Sequence, residues 1–151
     1  MAAEVRLIRA EELENLLMLY RFLNPDDPEL KIDHDLMQHW DLILSDPHLY
    51  YLVIEEDGML VSSCTLAIIK NLTRSARPYG LIENVVTHEN YRNKGYGTAV
   101  LKKAIEIAAE QNCYKVMLLT GRKDDSTLRF YEKAGFDRGE KTAFVIRLAG
   151  E

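Results

Sequence analysis

The stretch that most constrains this chain is Glu83-Asn84-Val85-Val86-Thr87, followed a short loop later by Arg92-Asn93-Lys94-Gly95-Tyr96-Gly97-Thr98. Residues 81–87 read as a strand. Beyond the glycines, Val100, Leu101, Ala104, Ile105 and Ala108 recur at helical spacing. A strand therefore runs into a tight loop, and the loop opens a helix. Two glycines one residue apart let the backbone approach a ligand with no side chain in the way. The first N–H groups of a helix lack partners inside it, and the helix dipole favours negative charge there. Strand, glycine turn and helix start together make a cradle for a pyrophosphate, with Arg92 and Lys94 adding positive charge at its rim.

Three phosphate-binding patterns compete for this segment. A P-loop needs Gly-x-x-x-x-Gly-Lys followed by Ser or Thr, which is absent. A dinucleotide fingerprint needs a glycine or alanine where Val100 stands, and a strand that opens a βαβ unit. The strand here follows an antiparallel hairpin instead. The third pattern is Arg-x-x-Gly-x-Gly, and Arg92 through Gly97 match it. A plain surface loop ahead of a helix remains open for so short a match.

The rest of the chain reads as alternating strands and helices. Val5–Arg9 alternates as a first strand. Residues 11–23 place Leu13, Leu16, Leu17, Tyr20 and Leu23 on one helical face, and Pro25 and Pro28 break that helix. A second helix runs from Asp33 or His34 to about Leu44. Strands at 49–56 and 59–70 flank Asp57-Gly58, a hairpin signal because a two-residue I′ turn needs positive φ at both positions. A polar loop, 71–79, leads to the strand at 81–87. After the glycine helix come an apolar strand at 114–120, a short helix at 126–133 closed by Gly135, and a last strand at 142–148. The order β-α-α-β-β-β-α-β-α-β is that of a mixed α/β domain, with residues 1–151 forming one domain.

A second block, Thr127-Leu128-Arg129-Phe130-Tyr131-Glu132-Lys133-Ala134-Gly135-Phe136, starts 35 residues after Arg92. The two blocks, in this order and spacing, resemble the GNAT superfamily of N-acetyltransferases. The resemblance implies a single domain with a mixed, mostly antiparallel central sheet flanked by helices, in which the strand 81–87 splays from its neighbour at 114–120. It implies acetyl-CoA as cosubstrate, held by Arg92, Asn93, Lys94, Gly95, Tyr96, Gly97, Thr98 and Tyr131 and by backbone groups near Val85 and Val86. It implies direct attack of a neutral primary amine on the thioester, with the Val86 N–H as an oxyanion donor.

Two side chains are the candidates for proton transfer. Glu83 is the candidate base, though strand alternation sets it and Val86 on opposite faces unless a bulge intervenes; a solvated strand carboxylate is the competing reading, and an ordered water could do the same work. Tyr131 is the candidate acid, because a phenol of pKa about 10 can protonate a departing thiolate of about 8.5. One departure stands out. The family commonly has an Asn about seven residues before that Tyr, where this chain has Asp124. Asp124 or Asp125 also suits the N-cap of the last helix.

Composition narrows the function classes. The net charge of −5 disfavours a nucleic-acid partner and is compatible with a cationic substrate. No apolar run is long enough to cross a bilayer, and the N-terminus lacks a signal peptide's apolar core, so a cytoplasmic protein without a membrane partner is expected. Cys64 and Cys113 read as buried thiols. His34 and His39, five apart, miss the i,i+4 register of a helical metal pair, so no metal is expected. His34, His39 and Trp40 line an acceptor pocket in one reading; in the other Trp40 is simply core. Gly80–Val86 resembles the strand of glucosamine-6-phosphate acetyltransferases, and Arg74 or Arg77 would then meet a phosphate. Small-molecule amines and protein or peptide amines both stay open as acceptors, as does a non-catalytic acyl-CoA-binding module. Dimers are common in the superfamily, which leaves a homodimer open.

Overall fold

In the computed structural model, which describes residues 3–150, five strands form one sheet: β1 (Arg6–Leu7), β2 (Leu49–Glu56), β3 (Met59–Ile69), β4 (Tyr79–Thr87) and β5 (Val116–Leu118). Their spatial order is the chain order, β1-β2-β3-β4-β5, with every pairing antiparallel except β4 with β5. The helices are α1 (Leu13–Tyr20), α2 (His34–Ser45), the single turn α3 (Thr73–Ala76), α4 (Tyr96–Glu110) and α5 (Asp125–Lys133). The chain divides into two compact units, one ending at Leu118 and the other starting at Leu119. Among the described residues no helix is long and apolar enough to cross a membrane.

In the first unit β3 is central and buried along most of its length. Alternation sends its side chains to two faces. The Cys64 thiol donates to the Val100 carbonyl of α4, beside the buried Leu101, Ala104 and Ala108. Its neighbour Ser63 faces the other way, paired with Val53 and Val86, which pack in the cluster of Leu13, Leu16, Leu19 and Trp40. So α4 covers one face, and α1 with α2 covers the other. The Trp40 indole donates to the Ala10 carbonyl at 2.8 Å, which settles Trp40 as core.

Local signals account for most element ends. Asp57 and Gly58 have φ of 53° and 78°, as the hairpin turn requires. Asp33 caps α2 by accepting the Leu36 N–H. The loop 71–79 is tighter than a polar loop need be, because Arg74, Ser75 and Ala76 all stand in the left-handed region.

Arg6 ties the start of the chain to the sheet. Its guanidinium makes a two-pronged pair with Glu12, both contacts 2.8 Å, and a third with Glu55. The Glu12 side chain is 9% exposed and also accepts the Arg9 N–H. Hydrogen bonding to Arg6 holds the Glu12 carboxyl below its ordinary range. A depressed carboxylate stabilises the fold above its unfolded pKa and stops doing so as pH falls through the folded value. Glu12→Gln is therefore expected to cost about 3 kcal/mol at neutral pH. Thermal melts should show this gap to wild type closing as pH drops below 4.5, the ordinary value.

The expected strand at 142–148 is not formed. That segment carries no regular structure, and Phe144 and Ile146 are 91% and 84% exposed. A strand exists through its backbone partners, and none of these residues pairs with a described strand. The expected strand at 114–120 shortens for a related reason, since β5 is an edge strand bonded only over Val116–Leu118.

Candidate functional site

The glycine loop of the first unit has the shape the sequence required. Asn93 and Gly95 both have positive φ, 61° and 86°, which turns the chain sharply into α4. Gly95 is the residue before the helix and offers no side-chain cap. The first intrahelical bond runs from the Ala99 N–H to the Gly95 carbonyl. The N–H groups of Tyr96, Gly97 and Thr98 therefore precede the helical ladder and are available to an anion. A Cβ built on Gly95 meets nothing within 4 Å, so the loop borders open space.

The flanking cations are oriented by their neighbours. Arg92 turns its Nε back to the Thr87 carbonyl at 3.1 Å, locking the loop to the end of β4. Lys94 lies with its Nζ 5.3 Å from the centre of the Tyr91 ring, and the Tyr91 hydroxyl donates to Asp57 at 2.8 Å.

One strand away the backbone does something alternation alone would not. Thr65 faces Glu83 and Ser63 faces Val86, so Cys64 of β3 stands against two residues of β4, Asn84 and Val85. This is a bulge, and Asn84 with φ of 53° is its pivot. It brings Glu83 and Val86 onto the same face. The two residues therefore do not point apart. Val86 is buried in the core cluster and Val85 is half-buried, while Glu83 is exposed. The pairing of β4 with β5 ends at Ile82 with Leu118, and β4 runs five residues further.

The face that carries Glu83 is unusually polar. Tyr51, Thr65 and Glu83 stand opposite one another on β2, β3 and β4. Tyr20, at the end of α1, reaches the same row, where its hydroxyl faces Thr65 and Asn84. These residues drew no attention as site residues from sequence, although an Asn inside a strand pattern is a signal for a left-handed pivot. A separate cavity of about 350 Å³, lined by Met18, Leu19, Phe22, Met59, Leu60 and His88 among others, lies toward the loop end of the same face.

In the second unit Tyr131 sits on α5, half-buried, with the Phe130 and Phe136 rings beside it at 5.0 and 6.5 Å. The helix closes with Gly135 at φ 107°, the Gly135 N–H on the Glu132 carbonyl and the Phe136 N–H on the Tyr131 carbonyl. That is a Schellman motif with its apolar contact. Asp124 is the N-cap of α5. Its carboxylate accepts from the Ser126 and Thr127 hydroxyls and the Thr127 N–H, and these bonds hold it far below the usual carboxylate range.

Several other candidates are otherwise engaged. Arg77 donates to the carbonyls of Asn112 and Cys113, and Arg74 lies over the Tyr114 ring. His34 and His39 are exposed on α2. Burial pushes the Cys64 thiol up to about 12, which removes it as a nucleophile. No group of three or more His, Cys, Asp or Glu among the described residues is placed to hold a metal ion.

Comparison with known proteins gives a consistent picture. The profile described as the acetyltransferase (GNAT) family matches residues 10–136. Glucosamine 6-phosphate N-acetyltransferase of Trypanosoma brucei brucei is 40% identical over 84 residues, 56% of this chain and 55% of that one. Human N-alpha-acetyltransferase 30 is 29% identical over 149 residues, 97% of this chain and 40% of that one. The chain thus spans about half the length of these two curated relatives. A solved structure from Agrobacterium tumefaciens str. C58, assigned as an acetyltransferase, is 48% identical. It superposes with a TM-score of 0.90 over 96% of this chain and 99% of that one.

Proposed function

The chain belongs to the acetyltransferase (GNAT) family, and from that premise we propose that it transfers the acetyl group of acetyl-CoA to a primary amine of a small molecule. The observation that carries this reading is the loop at Asn93 and Gly95, which presents the N–H groups of Tyr96, Gly97 and Thr98 at the end of the strand bearing Glu83. Acetyl-CoA supplies the activated acetyl group, and the reaction joins the amine nitrogen to its carbonyl carbon as the sulfur leaves.

The roles of the side chains follow from their chemistry. The three N–H groups hold the pyrophosphate, with Arg92, Asn93 and Lys94 around them and Val85 and Val86 giving backbone contacts to the rest of the cosubstrate. Glu83 takes the proton that the amine must lose. The bulge supports this role, because it turns the carboxylate to the face where Val86 lies and leaves it exposed to an incoming amine. Tyr131 hydrogen-bonds the departing thiolate, a role drawn from the match of residues 127–136 to the family block. Asp124 does not contact the cosubstrate, since its carboxylate is spent on capping α5.

The identity to the Trypanosoma glucosamine 6-phosphate enzyme favours a small amine. A protein N-terminus is the second reading, favoured by the match to N-alpha-acetyltransferase 30 along 97% of the chain. The test is thiol release from acetyl-CoA with glucosamine 6-phosphate, a polyamine, an aminoglycoside and a peptide with a free N-terminal methionine. Turnover with one of the first three is the expected result. Turnover with the peptide alone would move the acceptor to proteins, and cosubstrate binding without any turnover would leave a binding module. Glu83→Gln is expected to lower kcat by about a hundredfold with the KM for acetyl-CoA unchanged.

A further inference from the structure

Three oxygens of the first unit break the rule that buried polar groups are paired. Tyr20 Oη, Ser63 Oγ and Thr65 Oγ1 are shut away from solvent and have no hydrogen-bond partner among the described residues. Such groups are rare, and each asks for a reason. These three are not scattered. Thr65 stands directly opposite Glu83, and Ser63 directly opposite Val86, so two of them flank the Asn84 bulge from β3. The third comes from α1: the Tyr20 hydroxyl sits against Thr65 on one side and Asn84 on the other. It is wedged between the residue across from Glu83 and the residue that follows it.

Stability does not explain these hydroxyls. Replacing an unpaired buried hydroxyl by an apolar group of the same shape removes a desolvation cost and forfeits no hydrogen bond. Where a local rule is broken without a gain in stability, function is the expected reason. The ring of Tyr20 packs against the core cluster of α1, so its hydroxyl is delivered from a firm support. Burial pushes that phenol up to about 12, which keeps it a neutral donor at working pH. Asn84, by contrast, holds a left-handed conformation, one that Asn reaches readily and that its surroundings select here.

We propose that Tyr20 and Thr65 are positioning residues for the acceptor: their hydroxyls, unpaired in the free protein, bond to the Asn84 bulge beside them once the acceptor is bound, and so set the direction from which Glu83 meets the amine. This rests on the acetyl-transfer reading with Glu83 as base. Without the hydroxyls the ring of Tyr20 still packs and the free protein loses no bond, but in the complex the bulge is left unfixed, and the carboxylate spends less time in line with the incoming nitrogen. Misplacement of a reacting group by about 1 Å is enough to cost up to a hundredfold in rate.

The experiment compares Tyr20→Phe, Thr65→Val and Thr65→Ser with wild type, using whichever acceptor of the panel is turned over. Tyr20→Phe and Thr65→Val are expected to melt at or above the wild-type temperature. Their kcat should fall about tenfold with the KM for acetyl-CoA unchanged, and Thr65→Ser should restore it. Because Tyr20 acts through Glu83, adding Tyr20→Phe to Glu83→Gln should cost nothing more. Wild-type turnover in Tyr20→Phe beside an impaired Glu83→Gln would overturn the proposal. So would a loss of turnover that tracks a lowered melting temperature, or an undiminished further loss in the double variant. If Glu83→Gln itself turned over normally, the base assignment would fall instead, and the brace with it.

Discussion

Gly95→Glu is expected to lower the affinity for acetyl-CoA by about a thousandfold, close to 4 kcal/mol, and to leave the protein folded. Two effects add up to this figure. Gly95 has φ of 86°, and a side chain there costs about 1–2 kcal/mol, so the unoccupied loop relaxes out of this conformation and binding must restore it. The new carboxylate also stands where, on the proposed reading, the loop's N–H groups meet a dianionic pyrophosphate, and like charges brought together cost several kcal/mol. Because a Cβ at this position meets nothing within 4 Å, no core packing is disturbed. Calorimetric titration with acetyl-CoA measures the loss, and a thermal melt checks the fold. Gly95→Ala separates the two contributions, since it keeps the strain and omits the charge. Affinity close to wild type in Gly95→Glu would mean that the loop does not hold the pyrophosphate, and would return the glycines to a purely structural role.

Tyr131→Phe is expected to lower kcat by about a thousandfold while the KM for acetyl-CoA stays where it was. The substitution removes one oxygen. The ring contacts with Phe130 and Phe136 and the backbone bonds that close α5 are kept, and a thermal melt checks that the fold is kept with them. If the hydroxyl acts on the leaving thiolate, the rate should also lose its decline at high pH, which reports deprotonation of the catalytic acid. Steady-state rates across pH decide the matter. An acceptor-independent fall in cosubstrate affinity, with normal turnover at saturation, would instead make Tyr131 a binding residue.

What could be read from sequence follows how local each signal is. The Asp57-Gly58 turn, the cap at Asp33 and the Gly135 closure are decided by residues within a few positions, and all three stand as expected. The glycine loop belongs with them, because two nearby glycines before an amphipathic helix leave few alternatives. The relation of Glu83 to Val86 was open, since it depends on one extra residue in β4 opposite Cys64, a matter of register between strands. Tyr20 and Thr65 lie 45 positions apart in the chain and meet only once α1 is laid across the sheet. The segment 142–148 shows the opposite error. Its pattern records a preference for extended backbone, and a preference does not supply a neighbouring strand.

The Asp57 carboxylate has a consequence for anyone engineering this protein. A two-residue hairpin tip looks like the natural place to graft a tag or a fluorophore, being short, polar and far along the chain from the glycine loop. Yet Asp57 holds the Tyr91 hydroxyl, and the Tyr91 ring carries Lys94 on its face. The tip is the far support of the cradle's cationic rim. On the proposed reading of that loop, an insertion there is expected to loosen the grip on the cosubstrate from a distance, and a reporter placed at 57 to sense cosubstrate binding rather than passively mark the molecule.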